Sequence, residues 1–289
     1  MSIALRKNYV TNLDEVLKVE SKTSVLDSDA SVAKEGNNVN EICIPKMTTT
    51  GLADVASNGD LVAGDVSLAY ETVSFNFKRG RKFVVSQIDN EESADVAFGQ
   101  LAAQFVRTEV VPEKDAFTFA TIAGTSGISK VSSGATLSTG AGVIEALAAA
   151  MDGMDNDEVP AENRYLFITP ALYGLVRDMD TTKSREILGQ FAGIVKVPQG
   201  RFYTAITQND GTTSGQTDGG YAKASGGKDI NFLIVWKPAI IKFDKQTASD
   251  IITPAENQLG YGWIQKYMSY GLVDVLDNAV KGVYLHHKA

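Results

Sequence analysis

The chain has 289 residues, enough for one large domain or two modest ones. Its 35 acidic residues outnumber its 27 lysines and arginines, and a net charge of −8 argues against sequence-independent gripping of a phosphate backbone as its main task. A single cysteine, Cys43, excludes an internal disulfide and a cysteine-based metal site and fits a reducing compartment.

Residues 1–60 read as a weakly structured arm. Ser, Asp, Asn and Lys dominate from Val10 to Asn40, and apolar residues are sparse. Such a stretch does not offset its ordering entropy alone, so it is either disordered or ordered by a partner. ICIP, Ile42 to Pro45, is its one short strand candidate. The start of the chain lacks the apolar core of a signal peptide, and no apolar run approaches the ~20 residues that cross a bilayer. The chain therefore reads as soluble, free of membrane, and made in a cytoplasm.

Residues 61–90 read as an extended hairpin: VSLAYETVSFNF, then KRGRK, then FVVSQI. Val73, Phe75 and Phe77 alternate with polar residues, as do Phe83 and Val85, which is the strand period. Arg79-Gly80 stands where a tight turn is expected. A two-stranded ribbon is marginal alone and must bury one face against something. If it leaves its own domain, that something is another subunit. Lys78, Arg79, Arg81 and Lys82 form a positive island on an acidic chain. Two readings stay open for it: an ordinary solvated turn, or a tip that meets an acidic patch on a neighbouring copy. These four residues, with Phe75, Phe77 and Phe83, are the candidate subunit contacts.

A long helix is predicted next. Ser93 is its N-cap, with Asp89, Glu91, Glu92 and Asp95 near the positive end of the dipole. Phe98, Leu101, Phe105 and Thr108 share one stripe. Pro112 should kink or interrupt it, and Gly124 should stop it. The Gly/Ser/Thr run from Gly124 to Gly142 looks like a hinge between two lobes. VIEALAAAMDGM is a helix. ENRYLFITP is a strand followed by a helix start, with Thr169 as cap and Pro170 in the first turn. VKVPQGRFYTAI and INFLIVWKPAIIKF are strands, separated by a Gly/Ser/Thr-rich surface loop over 209–229. GYGWIQKYMSYGLVDVL is a long strand, Asp277-Asn278 a turn, and VKGVYLHH the last strand.

Chemistry-bearing patterns are missing. His286 and His287 are the only imidazoles, and they read as a solvated end or as side chains on an edge strand. GTSGISK and GGKD lack the spacing of a phosphate-binding loop. Asp152, Asp155, Asp157 and Glu158 read as a solvated acidic loop, since their spacing is not that of a calcium-binding loop. Ser31 and Lys34 share a Ser-x-x-Lys spacing by chance, and nothing sets Asp178 and Asp180 across a cleft. No catalytic, cofactor-binding or metal-ligating residue is predicted, and the chain reads as no enzyme.

In order, these parts resemble the major capsid protein of tailed bacteriophages, the Hong-Kong-ninety-seven-type coat fold. Glu113-Lys114-Asp115-Ala116-Phe117 running on to Gly124 resembles the end of that family's long helix. ENRYLFITPALYGLVRDM looks like its strand-then-helix unit, and KPAIIKFDKQTASD followed by YGWIQKYMSYGLVDVLDNAVKGVYL is similar to its closing strands. The resemblance implies an α+β chain. Its parts would be an arm and strand over 1–60, an extension-loop hairpin over 61–90 and a peripheral domain with a spine helix over 91–129. An axial domain over 130–238, peripheral return strands over 239–276 and a last axial strand over 277–289 would follow. It implies a structural protein that assembles with copies of itself, as hexamers and pentamers, into an icosahedral head. That head would enclose DNA without sequence-specific binding. Assembly in a host bacterial cytoplasm and residence in the virion follow from the same resemblance. So do a separate scaffolding protein, a portal and decoration proteins as partners. An encapsulin-type nanocompartment shell shares the fold and is the alternative. The isopeptide cross-link of some relatives would need Lys78 or Lys82 with Asn257 or Asn278, and no local motif supports it.

Overall fold

A run of apolar residues without polar alternation marks a strand buried on both faces. Residues 230–236, INFLIVW, are such a run, and they form β10 at the centre of a five-stranded sheet. The computed structural model describes residues 21–28, 34–35, 41–55, 60–87, 104–131, 133–258 and 260–289. Its strands are β1 (Lys34–Glu35), β2 (Glu41–Thr49), β3 (Val66–Ser74), β4 (Phe77–Ser86), β5 (Ser129–Lys130), β6 (Arg164–Ile168) and β7 (Gly193–Lys196). β8 (Ile206–Gln208), β9 (Tyr221–Lys223), β10 (Ile230–Trp236), β11 (Ile240–Ile252), β12 (Gly262–Val275) and β13 (Val283–His287) follow. The helices are α1 (Val111–Gly124), α2 (Gly140–Asn156), α3 (Pro170–Met179) and α4 (Thr182–Gly189).

The five-stranded sheet has the order β5-β13-β10-β6-β7. β10 runs antiparallel to both its neighbours, while β6–β7 and β13–β5 are parallel. Alternate side chains of β10 feed two cores. Leu233 and Val235 pack with Phe119 and Ile122 of α1, Phe167, Phe202 and Leu285. Phe232 and Ile234 pack with Val143, Leu147 and Met151 of α2 and Val176 of α3. The helix starts follow their caps. Thr139 accepts from the Gly142 amide at 3.2 Å at the head of α2. Thr169 and Pro170 open α3 as expected, although the Thr169 side chain makes no capping hydrogen bond.

β4, β12 and β11 form a second, fully antiparallel sheet. Here the structure corrects the predicted hairpin. β3 does not pair with β4. It pairs with β2 over nine positions, from Glu41↔Ser74 to Thr49↔Val66. The predicted turn, KRGRK, is instead the middle of β4, where Lys78 to Lys82 lie opposite Tyr270 to Lys266 of β12. Gly80 misled the reading. A Cβ there would stand 2.7 Å from the Tyr267 carbonyl oxygen, so the glycine serves a close approach of two strands rather than a turn. The projecting hairpin exists, but it is β2–β3, with residues 50–55 and 60–65 described beyond its paired strands.

The arm also departs from expectation where it is described. Thr23 and Leu26 are fully buried, and residues 41–49 of the arm form strand β2. Ser93, Phe98, Leu101 and the acidic cluster at the predicted helix start lie outside the described residues, as does Ser31. The described helix enters through a π-helical turn, Val106–Val110, and becomes α1 at Val111. Pro112 therefore sits in the first turn of a regular segment, where its missing N–H is tolerated. α1 ends at Gly124 as predicted.

Candidate interaction surface

Three consecutive charged residues near the start of α1 are buried, and each is satisfied by a different element. Glu113 accepts from Arg79 Nε of β4 at 2.6 Å and from Gln208 Nε2 at 3.3 Å. Lys114 pairs with Asp244 of β11. Asp115, fully buried, accepts from the Ser21 and Thr23 hydroxyls at 2.8 Å, the Lys22 amide at 2.9 Å and Arg201 at 3.2 Å. Lys242 of β11 closes the same clasp, donating to Thr23 O at 3.1 Å and Asp27 at 2.6 Å. A buried ion is tolerated only when paired and hydrogen-bonded, and here the pairing fastens the segment 21–28 and the strands β4, β8 and β11 to one helix.

The predicted contact residues split by face. Phe77 is buried and packs against Phe117, ring centroids 5.0 Å apart. Phe75 packs on Tyr270 at 4.8 Å and Phe83 on Phe105 at 4.8 Å. Arg79 also donates to the carbonyls of Asn209 and Gly220, and Arg81 to that of Thr217. These two arginines hold the loop between β8 and β9 against β4. A Cβ at Gly219, whose φ is +73°, would meet the Arg81 guanidinium at 2.9 Å. These five side chains thus make contacts within the subunit. Lys78 and Lys82 point to the opposite face of the sheet and are exposed.

Sequence reasoning missed an exposed apolar surface on the β2–β3 ribbon. Residues directly opposed across a ribbon share a face. Thr49↔Val66, Met47↔Leu68 and Pro45↔Tyr70 therefore line one side. Val66 is 63%, Leu68 57% and Tyr70 65% exposed, so no part of the body covers them. The other side is apolar only at the root, where Ile42 and Val73 are buried against Ile241 and Leu272. The ribbon is anchored by one face and offers the other. Leu52, Val55, Leu61 and Val62 continue the exposed apolar surface at the tip. Cys43 is half-buried on β2. The missed signal was VSLAY: Val66, Leu68 and Tyr70 keep the strand period but belong to the face left open.

The histidines and acidic residues correct two further expectations. β13 lies between β5 and β10, and His286 is buried, stacked on Phe232 at 4.8 Å. Asn231 Nδ2, which donates to Ala135 O at 2.7 Å, is 3.0 Å from His286 Nδ1. Burial, aided by neighbouring His287, lowers the His286 pKa to about 4. Asp155 is not simply solvated, since it pairs at 2.7 Å with the fully buried Arg164. Asp178 and Asp180 pair with Arg177 and Arg185 on the surface. Among the described residues no cluster of three or more His, Cys, Asp or Glu side chains is placed to hold a metal ion, and no helix is long and apolar enough to cross a membrane.

No protein-family profile matches the chain, and no curated protein sequence does. Solved structures do. The mature capsid of bacteriophage PhiM1 aligns with a TM-score of 0.61 at 13% identity, over 88% of this chain and 83% of that one. The capsid of cyanophage P-SCSP1u aligns with a TM-score of 0.56 at 16% identity, over 89% and 85%. This is the Hong-Kong-ninety-seven-type coat fold. The virus-like particle of Pyrococcus furiosus also shares it, with a TM-score of 0.57 at 12% identity over 97% and 98%.

Proposed function

We propose that this chain is the major coat subunit of an icosahedral phage head. The observation that carries the reading is the ribbon: a nine-residue pair of strands with an apolar face that its own body leaves open, in a chain with a shell-forming fold. Monomeric soluble proteins rarely leave such a surface uncovered, and a partner copy is the natural cover. A heterologous contact of this kind makes rings when its rotation closes, and a second contact type joins rings into a shell. Each contact is weak and correctable singly and strong in sum.

The division into arm, extension loop, peripheral and axial parts is carried over from the sequence reading, with the extension loop moved to residues 41–74. The buried charges of α1 make the peripheral part a rigid base for the ribbon. Hexamers and pentamers of the chain, a separate scaffolding protein, a portal and decoration proteins belong to the same proposal. So do DNA held without sequence readout, assembly in a host cytoplasm and residence in the virion. The role asks nothing of catalysis, and the buried charges of Glu113, Lys114 and Asp115 serve internal pairing.

Electron microscopy of the purified chain at high concentration tests the reading, with closed shells or rings expected. Particles containing nucleic acid when isolated from cells support a virus head. Particles filled with an enzyme cargo would favour a nanocompartment, the reading that the Pyrococcus particle keeps in view.

A further inference from the structure

We propose that the cavity under the loop between β8 and β9 binds an arylalkyl ammonium: a small aromatic amine with a hydrogen-bonding group at its far end. The proposal concerns the single subunit and does not depend on the shell reading.

Three elements enclose a cavity of about 220 Å³. Its floor is one face of the second sheet, where Arg81 of β4 stands opposite Tyr267 of β12 and Arg79 opposite Ser269. Its wall crosses the π-helical turn into α1, and there Phe105, Glu109 and Glu113 recur every four residues. Its roof is the loop that the two arginines hold down through the carbonyls of Asn209, Gly220 and Thr217. The volume falls below the roughly 300 Å³ at which pockets for drug-sized ligands begin, so the ligand is one ring with a short tail.

The lining sets the ligand's chemistry from the inside outward. Phe83, Phe105 and Tyr267 form a box of rings set edge to face, with centroids 4.8 and 5.7 Å apart. Such a box favours a flat apolar ring. Ser269 lies on the same floor, 1% exposed, and its Oγ hydrogen-bonds to no described residue. A buried hydroxyl left alone is costly, so a donor or acceptor on the inner end of the ligand meets a waiting partner. The exposed side chains of the lining are all charged. They are Arg81, Glu109, Asp210 and Asp218, three carboxylates against one guanidinium. Arg79 is already balanced by Glu113. Asp210 accepts from the amides of Thr212 and Thr213 at 2.8 Å, whereas Glu109 and Asp218 pair with no described residue. A cation at the mouth complements these two acids and gains from the ring faces beneath it. An anion there meets net repulsion.

Tyramine is the probe, titrated into the dilute full chain and followed by saturation-transfer NMR and calorimetry. Saturable binding is expected. Phenethylamine, which lacks the hydroxyl, should bind about threefold more weakly or worse, and hydroxyphenylpropionate, of the same shape with the opposite charge, about tenfold more weakly or worse. Glu109→Gln with Asp218→Asn should weaken tyramine about tenfold, with circular dichroism verifying that the chain still folds. Ser269→Ala should abolish the preference for tyramine over phenethylamine. The same variant should leave the ligand-free thermal midpoint unchanged or higher, because it deletes an unsatisfied hydroxyl. Three results overturn the inference: a folded wild type without saturable tyramine binding, a propionate that binds as well as the amine, or a folded Glu109→Gln, Asp218→Asn chain that binds tyramine as the wild type does. A Ser269→Ala chain that keeps the preference for the hydroxyl also overturns it. The shell reading fails separately, if the wild-type chain forms no rings or shells.

Discussion

Met47 stands directly opposite Leu68 across the ribbon, and both side chains are mostly exposed, at 63% and 57%. Two apolar side chains have been brought together by strand register and then left without a floor. Replacing both with serine removes little from the isolated subunit. Surface substitutions of this kind change stability by no more than about 0.5 kcal/mol. In an assembled contact the same pair would lose roughly 1.5–3 kcal/mol per buried side chain. Met47→Ser with Leu68→Ser should leave the thermal midpoint of the dilute subunit unchanged and abolish shells by sedimentation.

Asp115 is the opposite case, a carboxylate wholly enclosed by donors from the segment 21–23 and by Arg201. Asp115→Ala strips the clasp and leaves its donors unpaired. Breaking a buried pair in this way costs about 3–5 kcal/mol. Chemical unfolding should show that loss, and limited proteolysis should cut the variant within residues 21–28 much faster than the wild type.

Arg79 and Glu113 join β4 to α1 at 2.6 Å in a partly buried setting. A double-mutant cycle with Arg79→Ala and Glu113→Ala should return a coupling of about 1–3 kcal/mol in unfolding free energy. Arg79→Lys should recover only part of it, because a lysine cannot serve Glu113 and the carbonyls of Asn209 and Gly220 with a planar fork.

His286 makes stability depend on acid. Its folded pKa is depressed to about 4 from an ordinary 6.5, chiefly by burial. The unfolded chain binds the extra proton first, so this contribution is fully present above pH 6.5 and is lost as pH falls from there toward 4. Glu71 and Asp274 act with the opposite sign. Burial raises both, helped by the charge of Asp277, so the folded state takes up their protons more readily and gains as pH falls through their raised values. Thermal midpoints of wild type and His286→Phe should therefore converge or cross between pH 6.5 and 4, the variant being the less acid-sensitive.

Much of this fold was legible because its elements carry strong local signals. INFLIVW was legible as a strand, and Gly124 as the end of a helix. Pairing was less legible. Alternation reveals that β3 and β4 are strands but not whom they pair with, and the glycine between Arg79 and Arg81 looked like a turn until Tyr267 was seen behind it. β2 was read as four residues because Pro45 interrupts it. The proline lies beyond the described part of β1, whose Lys34 and Glu35 pair with Cys43 and Ile42. The buried Glu113-Lys114-Asp115 run was visible as a motif, yet its partners come from residues about 90 positions before it and up to 130 after it, which no local pattern encodes.

The central claim is that the open face of the ribbon is covered by a sister molecule, and maleimide labelling measures this most directly. In a Cys43→Ser background, Leu68→Cys should react quickly in dilute subunits and become protected when shells form. Equal reactivity in subunits and in closed shells would contradict the account.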